Sequence, residues 1–351
     1  MKKTYPFWLL LIFVSAFAFG QGSKNYEVLT VAFYNVENLF DTLNDPNTRD
    51  DDRTPEGRDR WTEDIYQKKV KNMARVISKI GRETTNQPPA VIGLCEVENR
   101  QVILDMLNDP LLKPYNYGIV HVDSPDERGI DVALIYRKKH FLPIAFKNHA
   151  LRLYKKKGKG RDYTRDQLLV YGVLEKEPVY FLIHHWPSRS GGQKRSEPNR
   201  LKAAALNKKL VDSVLQQNPK AKIINMGDFN DGPVNKSIAE VLQATHKKRR
   251  VFKNSVLYNP MMAYYKKGVG TACHRDTWSV IDQIHVSGGL LKAKATHWRF
   301  WKAGIYNKPY LITKEGRYKG YPFRSFAAGR FTNGYSDHFP VYAYLIREAV
   351  K

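Results

Sequence analysis

Nine polar residues sit at the ends of short apolar runs, and together their types suit phosphoryl chemistry. Asn35 and Glu37 end the run from Val28, Glu96 follows Val91 to Leu94, and His185 follows Val179 to Ile183. Asp228 and Asn230 follow Ile223 to Met226, Asp282 lies in the next run, and Asp337 and His338 open the last one. On an α/β scaffold, strand ends of this kind face a cleft. Taken singly, each residue has an ordinary use as a cap, a turn former or a hydrogen-bonded core histidine. Taken together, the carboxylates would concentrate negative charge unless a cation sat among them. An oxygen-rich set with few imidazoles suits magnesium first, then manganese or calcium, better than zinc. Phosphodiester hydrolysis needs these parts: a hard cation on a phosphoryl oxygen, a carboxylate to orient and deprotonate water, and cationic donors for the developing charge. Competing chemistries lose weight, since the chain has no Walker A loop, GxSxG elbow, HExxH helix or dinucleotide fingerprint.

Positioning such residues requires strands alternating with amphipathic helices. The runs Val28 to Tyr34, Ala90 to Leu94, Val132 to Tyr136, Val179 to Ile183, Ala221 to Asn225 and Val280 to Val286 read as strands. Helical spacing appears in Ile65 to Ile80, with Val70, Met73, Val76, Ile77 and Ile80 on one side, and again in Glu197 to Gln217. Ser196 is placed to cap the second helix, with Pro198 in its first turn, and Pro233 opens a short helix ending near Leu242. No internal repeat or Pro/Gly/Ser-rich linker divides the chain, so a single α/β domain over residues 21–351 is expected. The loop from Asp41 to Asp64 is acidic, with nine Asp/Glu against four Arg. Asp45, Asn47 and Glu56 fall at EF-hand positions, but Arg49 and Asp50 stand where a ligand and the turn glycine belong, so a solvated loop is expected. The two cysteines, Cys95 and Cys273, are too few for a disulfide scaffold and read as unpaired, buried thiols.

Lys2 and Lys3 precede an apolar run from Phe7 to Phe19, with small residues before Gln21. Residues 1–20 therefore read as a cleavable signal peptide, and the run is well short of the roughly 20 apolar residues a membrane span needs. The mature chain is expected to be secreted or periplasmic, without a membrane anchor. Its length of 351 residues is ample for a buried core. Its 58 Lys+Arg against 34 Asp+Glu, a formal net charge of +24, point toward a polyanionic partner.

The strings FYNVENLFD, IGLCEVEN, RGIDVALIYR, HHWPSRSGG, NMGDFND, IDQIHVS and YSDHFPV, in that order, resemble the endonuclease/exonuclease/phosphatase superfamily. The resemblance runs from about Val28 to about Leu345. It implies a four-layer α/β/β/α sandwich of two packed mixed β-sheets, with the site at one edge of the sheets. It also implies a role for each residue. Glu96 would be the principal metal ligand, with Asn35 in or beside the coordination shell and Glu37 and Asp337 serving the metal or its water. Asp228 would orient or deprotonate the attacking water, and Asn230 would hold the nucleophile or phosphate. Asp282 would fix the tautomer of His338, whose cation would face the phosphate, while His185 would assist the leaving oxygen. Two departures stand out: Glu37 where other members often have Asp, and His184 where HWPSR strings usually carry Asn.

Substrate choice rests on charge and loops. Arg152 to Arg165 holds seven basic residues against one acidic, and Lys292 to Tyr335 ten against one, the latter with eleven aromatics. Basic residues interleaved with rings suit a nucleic-acid strand, although about half of those rings are expected in a core beneath an insertion at about 292–335. Arg128, Arg189 and Arg195 flank the motifs as candidate phosphate contacts. A nuclease acting on DNA or RNA is the leading reading, with a monomeric chain and no protein partner inferred. A sphingomyelinase-like or other phosphodiesterase or phosphatase of the same fold is the alternative, followed by an inactive nucleic-acid-binding scaffold.

Overall fold

The computed structural model describes Met1 and residues 25–155, 160–254 and 256–349. The expected signal peptide, Met1 apart, lies outside the described residues, as do positions 156–159 of the first basic segment. Strands are numbered β1–β17 along the chain. Six form one sheet: β1 (Tyr26–Leu39), β2 (Val91–Val97), β3 (Tyr117–His121), β4 (Asp131–Arg137), β14 (Arg299–Ile305) and β17 (Val341–Glu348), in the order β14-β17-β1-β2-β4-β3. Five form the other: β5 (Phe141–His149), β8 (Gln167–Leu174), β9 (Glu177–His185), β10 (Ile223–Asp228) and β13 (Asp282–Val286), in the order β13-β10-β9-β8-β5. Each sheet is mixed, with one parallel pair, β1 with β2 and β9 with β10. Three two-stranded pairs, β6 with β7 (Leu153–Tyr154, Arg161–Asp162), β11 with β12 (Ala272–His274, Thr277–Ser279) and β15 with β16 (Phe326–Ala327, Arg330–Phe331), decorate the loops.

The central strands read as apolar runs because both of their faces are covered. Phe33, Ile92, Leu94, Ile183, Met226 and Ile284 belong to one core between the sheets, which continues beneath α1 (Glu63–Ile77) and, after the one-turn α2 (Arg82–Thr85), α3 (Arg100–Asn108). Gly93 sits where the sheets come closest: a Cβ there would lie 3.1 Å from the Met226 methyl and 3.3 Å from Ile183. A second core, with Leu182, Ala204, Leu210, Val211 and Ile223, fills the space between the second sheet and α4 (Gln193–Gln217). The layers are therefore helix, sheet, sheet, helix, the expected sandwich.

Three local readings need correction. The long helix begins at Gln193, four residues early, so Ser196 does not cap it but bonds back to the Gly192 carbonyl at 2.8 Å. Pro198 then lies inside the helix, where its missing N–H would strand a carbonyl. The Arg200 guanidinium, fully buried, supplies donors to this first turn, reaching the Gln193 carbonyl at 3.0 Å and the Ser196 hydroxyl at 2.8 Å. The acidic loop is not simply solvated: Asp50 and Asp59 are buried, and the Trp61 indole donates to the Phe40 carbonyl. The segment 292–335 is partly integral to the sandwich, since β14 is the edge strand of the first sheet. Of its aromatics, Trp298, Tyr306, Phe326 and Tyr335 are buried and Phe300, Tyr310, Phe323 and Phe331 pack against the same core, leaving Tyr321 half-buried and Trp301 and Tyr318 exposed. Cys95 is buried and Cys273 half-buried, and both are unpaired. Among the described residues no helix is long and apolar enough to cross a membrane.

Candidate active site

The site forms where β1, β2, β9, β10 and β13 meet at one end of the two sheets, and local backbone irregularities aim its side chains. Strand pairing slips between Asn35 and Leu39 on β1 and between Cys95 and Val97 on β2, the bulge signature. Glu37, Glu96 and Asn230 adopt left-handed backbone, with φ of 53°, 63° and 51°. Residues other than glycine hold that region at a cost of about 1–3 kcal/mol, and such strain gathers at functional sites.

The bulge turns Glu96 toward the centre, where its second carboxylate oxygen accepts the Asn38 N–H at 3.0 Å. The Asn35 amide nitrogen donates at 3.2 Å both to Glu96 and to Asp228, tying two carboxylates from different sheets together. His185 Nε2 lies 3.6 Å from Glu96 and 3.7 Å from Asp228. Asp228 accepts the Asn230 N–H at 2.8 Å, and Asn230 in turn donates its amide to the Trp186 carbonyl at 2.9 Å. Asp282 pairs with His338 Nδ1 at 2.7 Å, which leaves His338 Nε2 4.0 Å from Asp228 and 3.9 Å from Asp337. The Thr271 hydroxyl accepts the Asp282 N–H at 3.1 Å, while its carbonyl accepts the Phe339 N–H at 2.7 Å, which holds the two partners in register.

The electrostatics follow from burial and neighbours. Burial raises the Asp228 carboxyl, and Asp282 and Glu96 add to it against the pull of His338, so that it is pushed up to about 7. Burial alone would lower His338, but the charges of Asp282, Asp228 and Asp337 outweigh it and hold the ring well above 6.5, as an imidazolium. His185 goes the other way: burial, with Arg165, Arg128 and His338 nearby, holds it well below 6.5 and neutral. The expected divalent cation fits these residues. Carboxylate oxygens of Glu96 and Asp228, from different sheets, each lie 3.2 Å from the one Asn35 amide nitrogen, Asp282 stands within 4.8 Å of Asp228, and one Asp282 oxygen is buried without a hydrogen-bond partner. A buried carboxylate forced toward neutrality by its neighbours is also what a hard cation would relieve.

Protein contacts already engage three of the expected metal-site residues. The Asn35 side-chain oxygen accepts the Glu37 N–H at 2.9 Å, which orients its amide nitrogen to brace the two carboxylates. Glu37 is turned away from the cluster. It accepts the Ser325 N–H at 2.6 Å, the Ser325 hydroxyl at 2.9 Å and Arg324 Nε at 3.2 Å. Asp337 receives Arg324 Nη2 at 3.2 Å. Of the arginines, Arg189 donates its Nε to the Asn230 carbonyl at 2.7 Å and braces the 228–231 turn. Arg128 borders the site, half-exposed beside Asp126, and Arg195 is exposed in the first turn of α4.

Sequence reasoning missed the residues that hold this arrangement. Buried Arg165 spans Asp126 at 2.9 Å and the Trp186 carbonyl at 2.9 Å, next to His185. Lys69, fully buried and lowered to about 8 by desolvation, donates to the Tyr335 carbonyl at 2.7 Å and the Ser325 hydroxyl at 3.0 Å. A lysine in an amphipathic helix reads as surface, so nothing in the pattern marks it. Arg324 lies in the basic segment, and only that enrichment points to it.

Residues 30–347 match the family model described as Endonuclease/Exonuclease/phosphatase family. No curated protein sequence matches significantly. Among solved structures, an endonuclease/exonuclease/phosphatase family protein from Bacteroides thetaiotaomicron aligns at 18% identity, covering 93% of this chain and 97% of that one, with a TM-score of 0.53. A mannosyl-6-phosphatase from the same organism aligns at 18% identity, covering 90% and 99%, with a TM-score of 0.52. TDP2 from D. rerio, complexed with single strand DNA product, aligns at 14% identity, covering 91% and 98%, with a TM-score of 0.51. At these identities the likeness is one of fold. With the family match spanning nearly the whole chain and the order of its motifs, it leads to one conclusion: the chain belongs to the endonuclease/exonuclease/phosphatase family.

Proposed function

We propose that the protein is an exported, divalent-metal-dependent phosphodiesterase that hydrolyses nucleic acid. The observation that carries this reading is the convergence of Glu96, Asp228, Asp282 and His338, four side chains from separate elements, at one edge of the two sheets. Glu96 would hold the cation, Mg2+ first, with Asp228 and Asp337 beside it. When bound, that ion withdraws charge from a phosphoryl oxygen and lowers the pKa of a water.

The chain's own residues perform the rest. Asp228, fixed by the Asn230 N–H and raised to about 7, is basic enough to take a proton from the attacking water near neutral pH. A bond forms from the water oxygen to phosphorus as the ester P–O bond breaks. The His338 imidazolium, held by Asp282, neutralises charge on the phosphoryl group and supplies a proton to the leaving oxygen. Neutral His185 keeps one ring N–H and donates a hydrogen bond at the same centre, since its low basicity keeps it from taking up a second proton. A nucleic-acid substrate is supported by the formal charge of +24 and by the fold shared with a DNA-bound TDP2. A small phosphoester is the second reading, favoured by the fold shared with a mannosyl-6-phosphatase.

The test incubates the protein with plasmid DNA, RNA, sphingomyelin and mannose 6-phosphate, each with Mg2+, Mn2+, Ca2+ or EDTA, beside Asp228→Ala and His338→Ala. Metal-dependent nucleic-acid cleavage lost in both variants is the expected result. Cleavage indifferent to EDTA and to both substitutions overturns the mechanism, and turnover of only the lipid or the sugar phosphate overturns the substrate.

A further inference from the structure

Beside the cluster lies a cavity of about 440 Å3 whose charge the reaction above leaves unused. Its walls carry three guanidinium groups, Arg53, Arg58 and Arg324, against one carboxylate, Asp59. Two of these arginines come from the 41–64 loop, whose composition is acidic and which read as solvated. The loop's acids pair with its own cations: Asp59 lies 3.2 Å from Arg53 Nε and 3.4 Å from Arg58 Nε, and Asp52 lies 2.9 Å from Arg58 Nη2. A guanidinium carries five N–H donors, more than these contacts use.

The cavity is built on a fixed frame. Arg53 stacks over Phe326 at 5.0 Å and over Trp61 at 5.7 Å, and Trp61 packs on Phe326 with centroids 5.6 Å apart. The β15–β16 hairpin forming the opposite wall closes through Ala328 and Gly329, both with positive φ, the backbone of a tight two-residue turn. Lys69 and Glu37 pin the start of that hairpin through Ser325. Arg324 joins the cavity to the catalytic edge, because it lines the one and contacts Glu37 and Asp337 of the other at 3.2 Å. One arginine side chain thus separates this cavity from the His338 region.

We propose that this cavity is an anion subsite for a second phosphate of the same substrate, the one flanking the scissile phosphate in a nucleic-acid strand. Arginine is the residue for such a task, since its planar fork matches phosphate oxygens and stays charged. The subsite rests on the phosphodiesterase reading and refines it: the enzyme selects chains carrying consecutive phosphates over compounds with one. A mannose 6-phosphate or a single diester would leave the cavity unfilled.

The experiment compares kcat/KM for thymidylyl-thymidine, which has one phosphate, with the same dinucleotide carrying an added 5′ or 3′ phosphate. At least one two-phosphate substrate is expected to be favoured about tenfold, a figure typical of a charged hydrogen-bonded contact. That ratio should fall to within about twofold in Arg58→Glu, where the side chain is largely exposed and the fold is not at stake. Lys209→Glu, an exposed reversal on α4 outside the cavity, controls for long-range charge and should keep the ratio. No preference in the wild type, or a preference that Arg58→Glu retains, overturns the subsite. If no dinucleotide is hydrolysed, the activity reading fails on its own. The subsite is then judged by equilibrium binding of the same three compounds in EDTA. Tighter binding of a two-phosphate compound that is lost in Arg58→Glu supports it, and equal affinities overturn it.

Discussion

Glu37 and Glu96 lie near the ends of neighbouring parallel strands, both at bulges and both in left-handed backbone, yet their surroundings are opposite. Glu96 faces Asn35, Asp228 and His185, with few donors to neutralise it. Glu37 meets two donors from Ser325 and one from Arg324, with the Lys69 charge close by. The first region concentrates unneutralised carboxylate and suits a cation. The second is an internally compensated ion cluster that fastens the β15–β16 hairpin to the sandwich. Placement at a strand end does not make a carboxylate a ligand. The supply of competing donors decides that.

The sharpest way to break this comparison is to neutralise each carboxylate in turn. Glu96→Gln should lower kcat/KM by about 10³-fold or more, in the range of lost electrostatic stabilisation, whereas Glu37→Gln should cost about tenfold or less. Equal losses on phosphodiester hydrolysis would erase the distinction. Next in size, Asp282→Asn should lower kcat by about 10²-fold or more and move the alkaline limb of the pH–rate profile to lower pH. Asp282 raises His338, so without it the imidazolium is lost sooner as pH climbs. A limb that stays in place would mean that His338 is not the group being titrated.

Stability should invert the order. Glu37→Gln removes one partner of a buried ion cluster and is expected to cost roughly 3 kcal/mol in urea unfolding. Glu96→Gln removes repulsion beside Asp228 and should be neutral or stabilising. A pH-dependent effect belongs to Glu98, beside the acidic loop. Burial, with Asp41, Asp50 and Asp45 nearby, raises its carboxyl from 4.5 to about 8. The folded chain then binds a proton that the unfolded chain releases between these values, so this group's contribution to stability falls as pH rises through that window. Glu98→Gln should open a Tm advantage over wild type of about 5 °C between pH 5 and pH 8.5. A gap independent of pH would refute the assignment.

Much of the scaffold was legible in local pattern. The apolar runs that end at Asn35, Glu96, His185 and Asp228 are strands because both sheets are covered on their two faces, which leaves a continuous apolar signal. Weakly patterned strands such as β5, whose Leu142, Ile144 and Phe146 are exposed, carry no such signal. Segment 292–335 looked like a nucleic-acid surface by composition, and most of its rings turned out to fill a core, because ring content does not encode which side faces solvent.

The sequence by itself determined which side chains reach the catalytic edge, since motif residues at strand ends are carried there by covalent connection along each strand. Tertiary structure alone decided what each then does. Asn35 became a brace, Glu37 an anchor and Arg189 a loop clamp, while Arg53 and Arg58 left an acidic loop to face Arg324 across a cavity. The physical reason is that a charged group's role depends on its desolvation and on donors up to 288 residues away in the chain, as for Ser325 on Glu37, and neither quantity is written in local sequence.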